Sequence, residues 1–223
     1  MCGRFTITLK PSFWQKEFDL NSMPSQWEPR YNVAPTQSVP VITNAENRNV
    51  ELMRWGLIPF WAKDESIGNR LINARSETLK EKLSFRDAFR HRRCLILADG
   101  FYEWQHPSRY GTPKVPFYFK LKDDKPFAFA GLWESWLAPN KQEVHSCAII
   151  TCSPNELIAR IHNRMPVLFD SRNCWAWLED VNLTKLKFLL TPFPADKMKT
   201  HPVGRWINNP RVDSPECIFP LKY

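Results

Sequence analysis

Cys2 stands directly behind the initiator methionine, in the opening run MCGRF. So small a second residue favours removal of Met1, which would leave an α-amine and a thiol on adjacent carbons of one residue. Unperturbed, these groups titrate near ~8 and ~8.5, so each is expected to be partly nucleophilic at neutral pH. The plainer reading of Cys2 is a small buried hydrophobe. Three polar clusters elsewhere carry residues able to bind or move protons. In RLINARSET, Asn73 and Arg75 share parity on an extended segment and point the same way; the alternative is a solvated strand face. In ADGFYEWQ, Glu103 lies between Tyr102 and Trp104, where desolvation would raise its pKa toward that of a proton shuttle. The alternative there is a strand-edge carboxylate facing water. In ARIHNRMPVL, His162 falls at a helix end beside Arg164 and Pro166, either as a proton-transfer group or as a cap.

A β-rich chain must position these groups. Nineteen prolines and only seven glycines interrupt helices often and leave no flexible linker. RRCLILADGFYEW has an apolar run, an Asp99-Gly100 turn signal and an aromatic run, and predicts a hairpin. PFYFKLKDDKPFAFAGLW predicts a second hairpin turning at DDK, with Phe117, Phe119 and Leu121 on one face. EVHSCAIIT predicts a strand. SPNELIARIH predicts a helix capped by Ser153, with Pro154 at its first position and Glu156 closing a capping box. Short helices are also expected in PSFWQKEFDL, SFRDAFRH and RNCWAWLED, and a loop over AKDESIGN. The run Arg90, His91, Arg92, Arg93 reads as a solvated helix end or as a source of phosphate contacts. Strands outnumber helices along the whole length. The expected fold is α+β: a single domain over residues 2–223, with a twisted, largely antiparallel, barrel-like sheet core and short peripheral helices.

The 223 residues are enough to bury a sizeable core. No run approaches the 18 or so apolar residues of a membrane span, and no membrane association is expected. The first ten residues lack the apolar run of a secretory signal, so the expected address is the cytoplasm. A net charge of +8 fits a polyanionic partner without requiring one. The six cysteines (2, 94, 147, 152, 174 and 217) show neither a CxxC pair nor zinc-ligand spacing with histidine. Five are therefore expected to be packing residues, with no metal and no disulfide.

Taken in order, MCGRF, RYNVAPTQ, MRWGLIPFWA, LINARSET, CLILADGFYEW and IHNRMPVLF resemble the motifs of the SRAP family, the SOS-response-associated peptidases. The resemblance runs from Cys2 to about Phe169 and, more loosely, to HPVGRWINNP. Members of this family are regarded as abasic-site processing proteins. The resemblance implies that Met1 is removed and that mature Cys2 attacks the aldehyde of an abasic site in single-stranded DNA, closing a thiazolidine ring. It implies Glu103 as acid/base, His162 as the group handling the sugar hydroxyl, and Asn73 as the hydrogen-bonding residue at the reactive centre. Arg4, Arg75 and Arg164 would bind flanking phosphates, and Pro35 and Trp61 would line the DNA groove, with Trp61 stacking on a base. The chemistry requires no cofactor or metal. The expected partner is single-stranded DNA containing abasic sites, met by a monomer. Strand cleavage by β-elimination and a peptidase activity limited to exposing Cys2 are implied as side activities.

Two other readings start from the same residues. Glutamine-using amidotransferases also begin Met-Cys-Gly, which points to an N-terminal-nucleophile amidohydrolase or peptidase. Basic and aromatic residues together also fit a non-catalytic single-stranded DNA-binding module, whose binding would be salt-sensitive and independent of Cys2.

Overall fold

The computed structural model of the chain describes residues 2–105, 113–179 and 183–221. Runs rich in β-branched and aromatic residues become strands along its length. In chain order these are β1 (Phe5–Ile7), β2 (Arg30–Val33), β3 (Ser38–Ile42), β4 (Glu51–Trp55) and β5 (Asn73–Arg75). There follow β6 (Arg93–Ala98), β7 (Gly100–Gln105), β8 (Val115–Leu121), β9 (Phe127–Leu137) and β10 (Glu143–Cys152). Three short strands complete the series: β11 (Met165–Pro166), β12 (Leu168–Phe169) and β13 (Met198–Pro202). The α-helices are short: α1 (Pro11–Phe18), α2 (Leu83–His91), α3 (Glu156–Ala159) and α4 (Leu183–Leu189).

Five of the strands close on themselves. β4 pairs with β3, β3 with β6, β6 with β9, β9 with β10, and β10 returns to β4. Only the β10–β4 seam of this barrel is parallel. β5 and β11 flank the second half of β10, and β12 flanks β9. A second sheet, ordered β13-β8-β7-β1-β2, covers the barrel. Aromatic rings fill the space between them. Phe5 meets Trp55 at 5.0 Å and Phe129 at 5.5 Å, while Phe101 stacks on Phe119 at 5.1 Å and contacts Phe127 edge-on. Each ring is fully buried, a burial worth about 1.5–3 kcal/mol per side chain. The fold is thus α+β around a barrel-like core, as expected.

Neither expected hairpin forms. β6 and β7 adjoin at Asp99, yet β6 pairs with β3 and β9 while β7 pairs with β1 and β8. Asp99 accepts hydrogen bonds from the Thr6 hydroxyl, the Thr8 N–H and hydroxyl, and the Leu9 N–H. It therefore clamps the end of β1 at a corner between sheets and does not open a two-residue turn. β8 and β9 part in the same way at DDK, one entering each sheet. β9 is buried without interruption from Phe127 to Leu132, which demands neighbours on both edges and both faces.

Other local expectations shift by small amounts. The helix expected at Ser153 begins later, because the Asn155 side-chain oxygen Oδ1 caps it by accepting from Ile158 N–H at 3.0 Å. Donation from Asn155 to Phe193 O at 2.7 Å holds that cap in place. RNCWAWLED makes only the 3-10 turn Trp175–Trp177, and AKDESIGN leads into the 3-10 turn Glu65–Arg70, where Asp64 caps Ser66 N–H. The basic run at the end of α2 is not wholly solvated. Arg93 is buried and donates to the carbonyls of Trp177, Arg90 and Glu179, and Arg92 pairs with Glu134 at 2.8 Å.

Candidate active site

The start of the chain is folded into the interior. Cys2 has no exposed surface, and the segment after it runs directly into β1, which lies between β7 and β2 in its sheet. Two strands then bring polar groups to it. β1 pairs antiparallel with β7 through Phe5 opposite Phe101, and Tyr102 N–H donates to Arg4 O. Extending that register carries Glu103 toward Gly3 and Cys2. From the other side, β5 lies parallel to β10 and presents Asn73, whose side-chain amide donates to Cys2 O at 2.8 Å. Ala74 is buried between Asn73 and Arg75, so those two do share one face. The Asn73 side-chain oxygen is itself buried and accepts no hydrogen bond among the described residues.

Glu103 is 2% exposed, not a strand-edge carboxylate facing water. Burial raises its pKa to about 7, against the opposing pull of the N-terminal amino group, the Trp104 peptide and Lys114. His162 follows α3, its N–H donating to Ile158 O. Its Nε2 stands 3.9 Å from the Glu103 carboxylate, and its Nδ1 accepts from Arg164 N–H at 3.0 Å. Nδ1 also lies 3.2 Å from Arg164 O, so the Arg164 backbone holds that edge of the ring and leaves Nε2 toward Glu103. Burial and the nearby Glu103 charge push the Cys2 thiol well above its usual range. The free-solution value expected from the sequence therefore does not hold: at neutral pH the resting thiol is protonated and needs a base. The structure thus brings Cys2, Asn73, Glu103 and His162 into one polar cluster.

A cleft of about 550 Å³ opens on this cluster, lined by Glu103, Trp104, Lys114, His162, Arg205 and Asn208. Of those residues, Trp104 entered the sequence reading only as a neighbour of Glu103, and Lys114, Arg205 and Asn208 were not singled out. The only signal for Arg205 and Asn208 was the run HPVGRWINNP, whose position in the fold could not be read from spacing. Trp104 Nε1 donates to Asn208 at 2.8 Å and ties β7 to that C-terminal loop.

The three arginines occupy different settings. Arg75 is exposed at the end of β5, and no ion pair involves it among the described residues. Arg164 makes a two-pronged pair with Glu77 at 2.7 and 2.9 Å and donates to Thr151 O at 2.7 Å. Arg4 donates to Asn32 at 2.8 Å and to Ile207 O at 2.6 Å, bracing the C-terminal loop. Asn32 and Glu77, which fix these guanidinium groups, were also missed. Pro35 is half-buried in the turn after β2, and Trp61 is 47% exposed beside exposed Phe60. Gly56, at φ 129°, and Gly68 pass so closely that neither has room for a side chain; this approach sets the path of the segment carrying Phe60 and Trp61. No hydrogen bond or ion pair joins Pro35, Trp61 or Arg75 to the cluster among the described residues. No cluster of three or more metal-ligating side chains occurs among them either, and no described helix is long and apolar enough to cross a membrane.

Comparison with known proteins agrees with the order of motifs. A sequence model of the family described as SOS response associated peptidase (SRAP) matches residues 1–210. The abasic site processing protein YoqW of Bacillus subtilis is 43% identical over 223 residues, covering 98% of this chain and 99% of its own. The mouse abasic site processing protein HMCES is 31% identical, covering 88% of this chain and 66% of its own. A crystal structure of a protein from Bacteroides thetaiotaomicron superposes with a TM-score of 0.85 at 26% identity, over 99% of this chain and all of that one. On the extent of the family match and the identity to full-length relatives, this chain belongs to the SOS response associated peptidase family.

Proposed function

We propose that this protein processes abasic sites, and that mature Cys2 forms a thiazolidine crosslink with the abasic aldehyde in single-stranded DNA. The observation that carries the reading is the buried Cys2, held through its carbonyl by Asn73 in a cluster with a carboxyl group poised near neutrality. Loss of Met1 places the α-amine on Cys2 itself. That amine condenses with the C1′ aldehyde to an imine, releasing one water. The thiol then adds across the C=N bond, sulfur to carbon and proton to nitrogen, closing a ring of S, C1′, N, Cα and Cβ. An internal cysteine lacks the amine, and a retained Met1 would occupy it as an amide.

Each neighbouring group has a task in this scheme. A carboxyl with a pKa of about 7 can accept the thiol proton and deliver it to nitrogen within one cycle. Protonated His162 can give its Nε2 proton to the sugar ring oxygen while the Glu103 carboxylate takes the C1′ hydroxyl proton, opening the closed hemiacetal to the aldehyde. The unfilled Asn73 oxygen can accept from the α-amine or a sugar hydroxyl and orient the two reactants. Exposed Arg75 is suited to phosphate, while Trp61 and Pro35 offer apolar surface to a strand. β-Elimination from the imine would cleave the strand as a side reaction.

Denaturing electrophoresis of the purified protein with an abasic single-stranded oligonucleotide tests the scheme. A shifted band with wild type and none with Cys2→Ala or Cys2→Ser is expected. Binding without a shift would favour a non-covalent DNA-binding module, and glutaminase activity would favour the amidohydrolase reading.

A further inference from the structure

The loop that walls the cleft continues past it. Arg205 and Asn208 line the cleft beside Glu103 and His162, and Trp206 lies between them in the chain. Trp206 lines an apolar recess of about 440 Å³, formed with Val212, Glu216, Phe219 and Leu221. The indole is 46% exposed and Phe219 is 54% exposed. One face of the indole is packed on the backbone of Gly204, where a β-carbon would run into the ring. Only a glycine at that position allows the indole to lie flat there.

This surface is rigidly built. Asn32 has no exposed surface, and its side-chain amide reaches the carbonyls of Ile207, Asn209 and Val212 at 3.2, 3.1 and 2.7 Å. Arg4 donates to the same Ile207 carbonyl, and Trp104 to Asn208. Five polar contacts from the interior therefore fix a short loop whose outward side chains are a cation and an indole. Such an arrangement costs little conformational entropy on binding. It is also the pairing used on single strands, a guanidinium for phosphate beside an aromatic face for a base.

The geometry points to a nucleobase subsite: Trp206 stacks the base of a nucleotide near the abasic site on the same strand, while Arg205 holds an intervening phosphate. The occupant is a single-stranded nucleotide because Arg205, on the reactive cleft, and Trp206, on the recess, are adjacent residues of one four-residue turn. The carboxylate of Glu216 in the recess offers an acceptor to the amino groups of a base, whereas it would repel a second phosphate. This inference rests on the proposed reaction with abasic single strands.

The test uses oligonucleotides carrying a tetrahydrofuran abasic analogue, which binds without reacting. One has a single nucleotide on each side; two others are extended by about five nucleotides on the 5′ or the 3′ side only. Fluorescence anisotropy should show Trp206→Ala weakening one extended oligonucleotide by about 5- to 100-fold. The short oligonucleotide should bind as to wild type, and Trp206→Phe should retain most of the gain. Removing the bases from the extension should cost wild type a similar factor, a comparison that needs no variant. Equal affinity of wild type and Trp206→Ala for both extended oligonucleotides, or no loss on removing the bases, would overturn the subsite. A true abasic version of the same oligonucleotide reports the chemistry separately: a Trp206 effect without covalent adduct would remove the crosslinking scheme and leave the subsite standing.

Discussion

Two buried carboxyl groups bracket strand β7, and their settings differ. Asp99, before the strand, accepts four hydrogen bonds from Thr6, Thr8 and Leu9. Glu103, near its other end, faces His162 at 3.9 Å and borders an open cleft. Burial raises both pKa values, and at Asp99 the four donors oppose the rise. One carboxyl is used to turn a corner and hold β1 in register; the other is kept close to neutrality beside Cys2. The comparison shows that burial alone does not mark a reactive acid. What distinguishes Glu103 is burial next to an opening and to a second proton carrier.

The contrast predicts different damage from similar substitutions. Asp99→Ala leaves four donors without their acceptor, and should lower unfolding free energy by about 4 kcal/mol in urea titrations. A loss below about 1 kcal/mol would mean that the corner holds without its clamp. Glu103→Gln should act in the opposite direction on stability. The folded pKa of about 7 lies above the ordinary value of 4.5, so the native state binds the extra proton between those pH values. Wild-type stability therefore falls as pH rises from about 4.5 to 7, by about 3 kcal/mol in all. Glu103→Gln lacks this loss and should be more stable than wild type at pH 8 by that amount, with little difference at pH 4. The same substitution should slow crosslinking about 100-fold. It should also remove the increase in rate expected as wild type is taken through pH 7, where the carboxylate becomes available as a base. The smallest effect is expected at Glu77. Glu77→Gln loosens Arg164, whose N–H fixes His162 Nδ1, at a cost of about 1 kcal/mol in stability and a several-fold loss in crosslinking rate.

The residues of the candidate site were easier to read from the sequence than the path of the chain. Cys2, Asn73, Glu103 and His162 stand in short motifs whose residue types left plainer readings open, and their proposed roles came from the resemblance of the motifs taken together; the shared face of Asn73 and Arg75 followed from strand parity. The two hairpins failed because the Asp99-Gly100 and DDK signals report that the chain turns, not which strand lies beside it afterwards. Pairing was decided by burial on both faces of β6 and β9, a property of the closed barrel. The arginines illustrate the same limit. Arg4 finds its acceptors at Asn32 and Ile207, and Arg164 finds Glu77, all distant in sequence. No local pattern separates such braces from an exposed arginine such as Arg75. Trp206 was hidden for a related reason, since its neighbours meet only once the C-terminal loop folds over β7.

The most direct measurement is the mass of the N-terminal peptide recovered from protein reacted with an abasic single strand and digested. The account predicts a peptide beginning at Cys2, without Met1, carrying the abasic nucleotide remnant at the summed mass less one water and with no titratable thiol. An adduct on a lysine, or an adduct on a peptide that retains Met1, would contradict it.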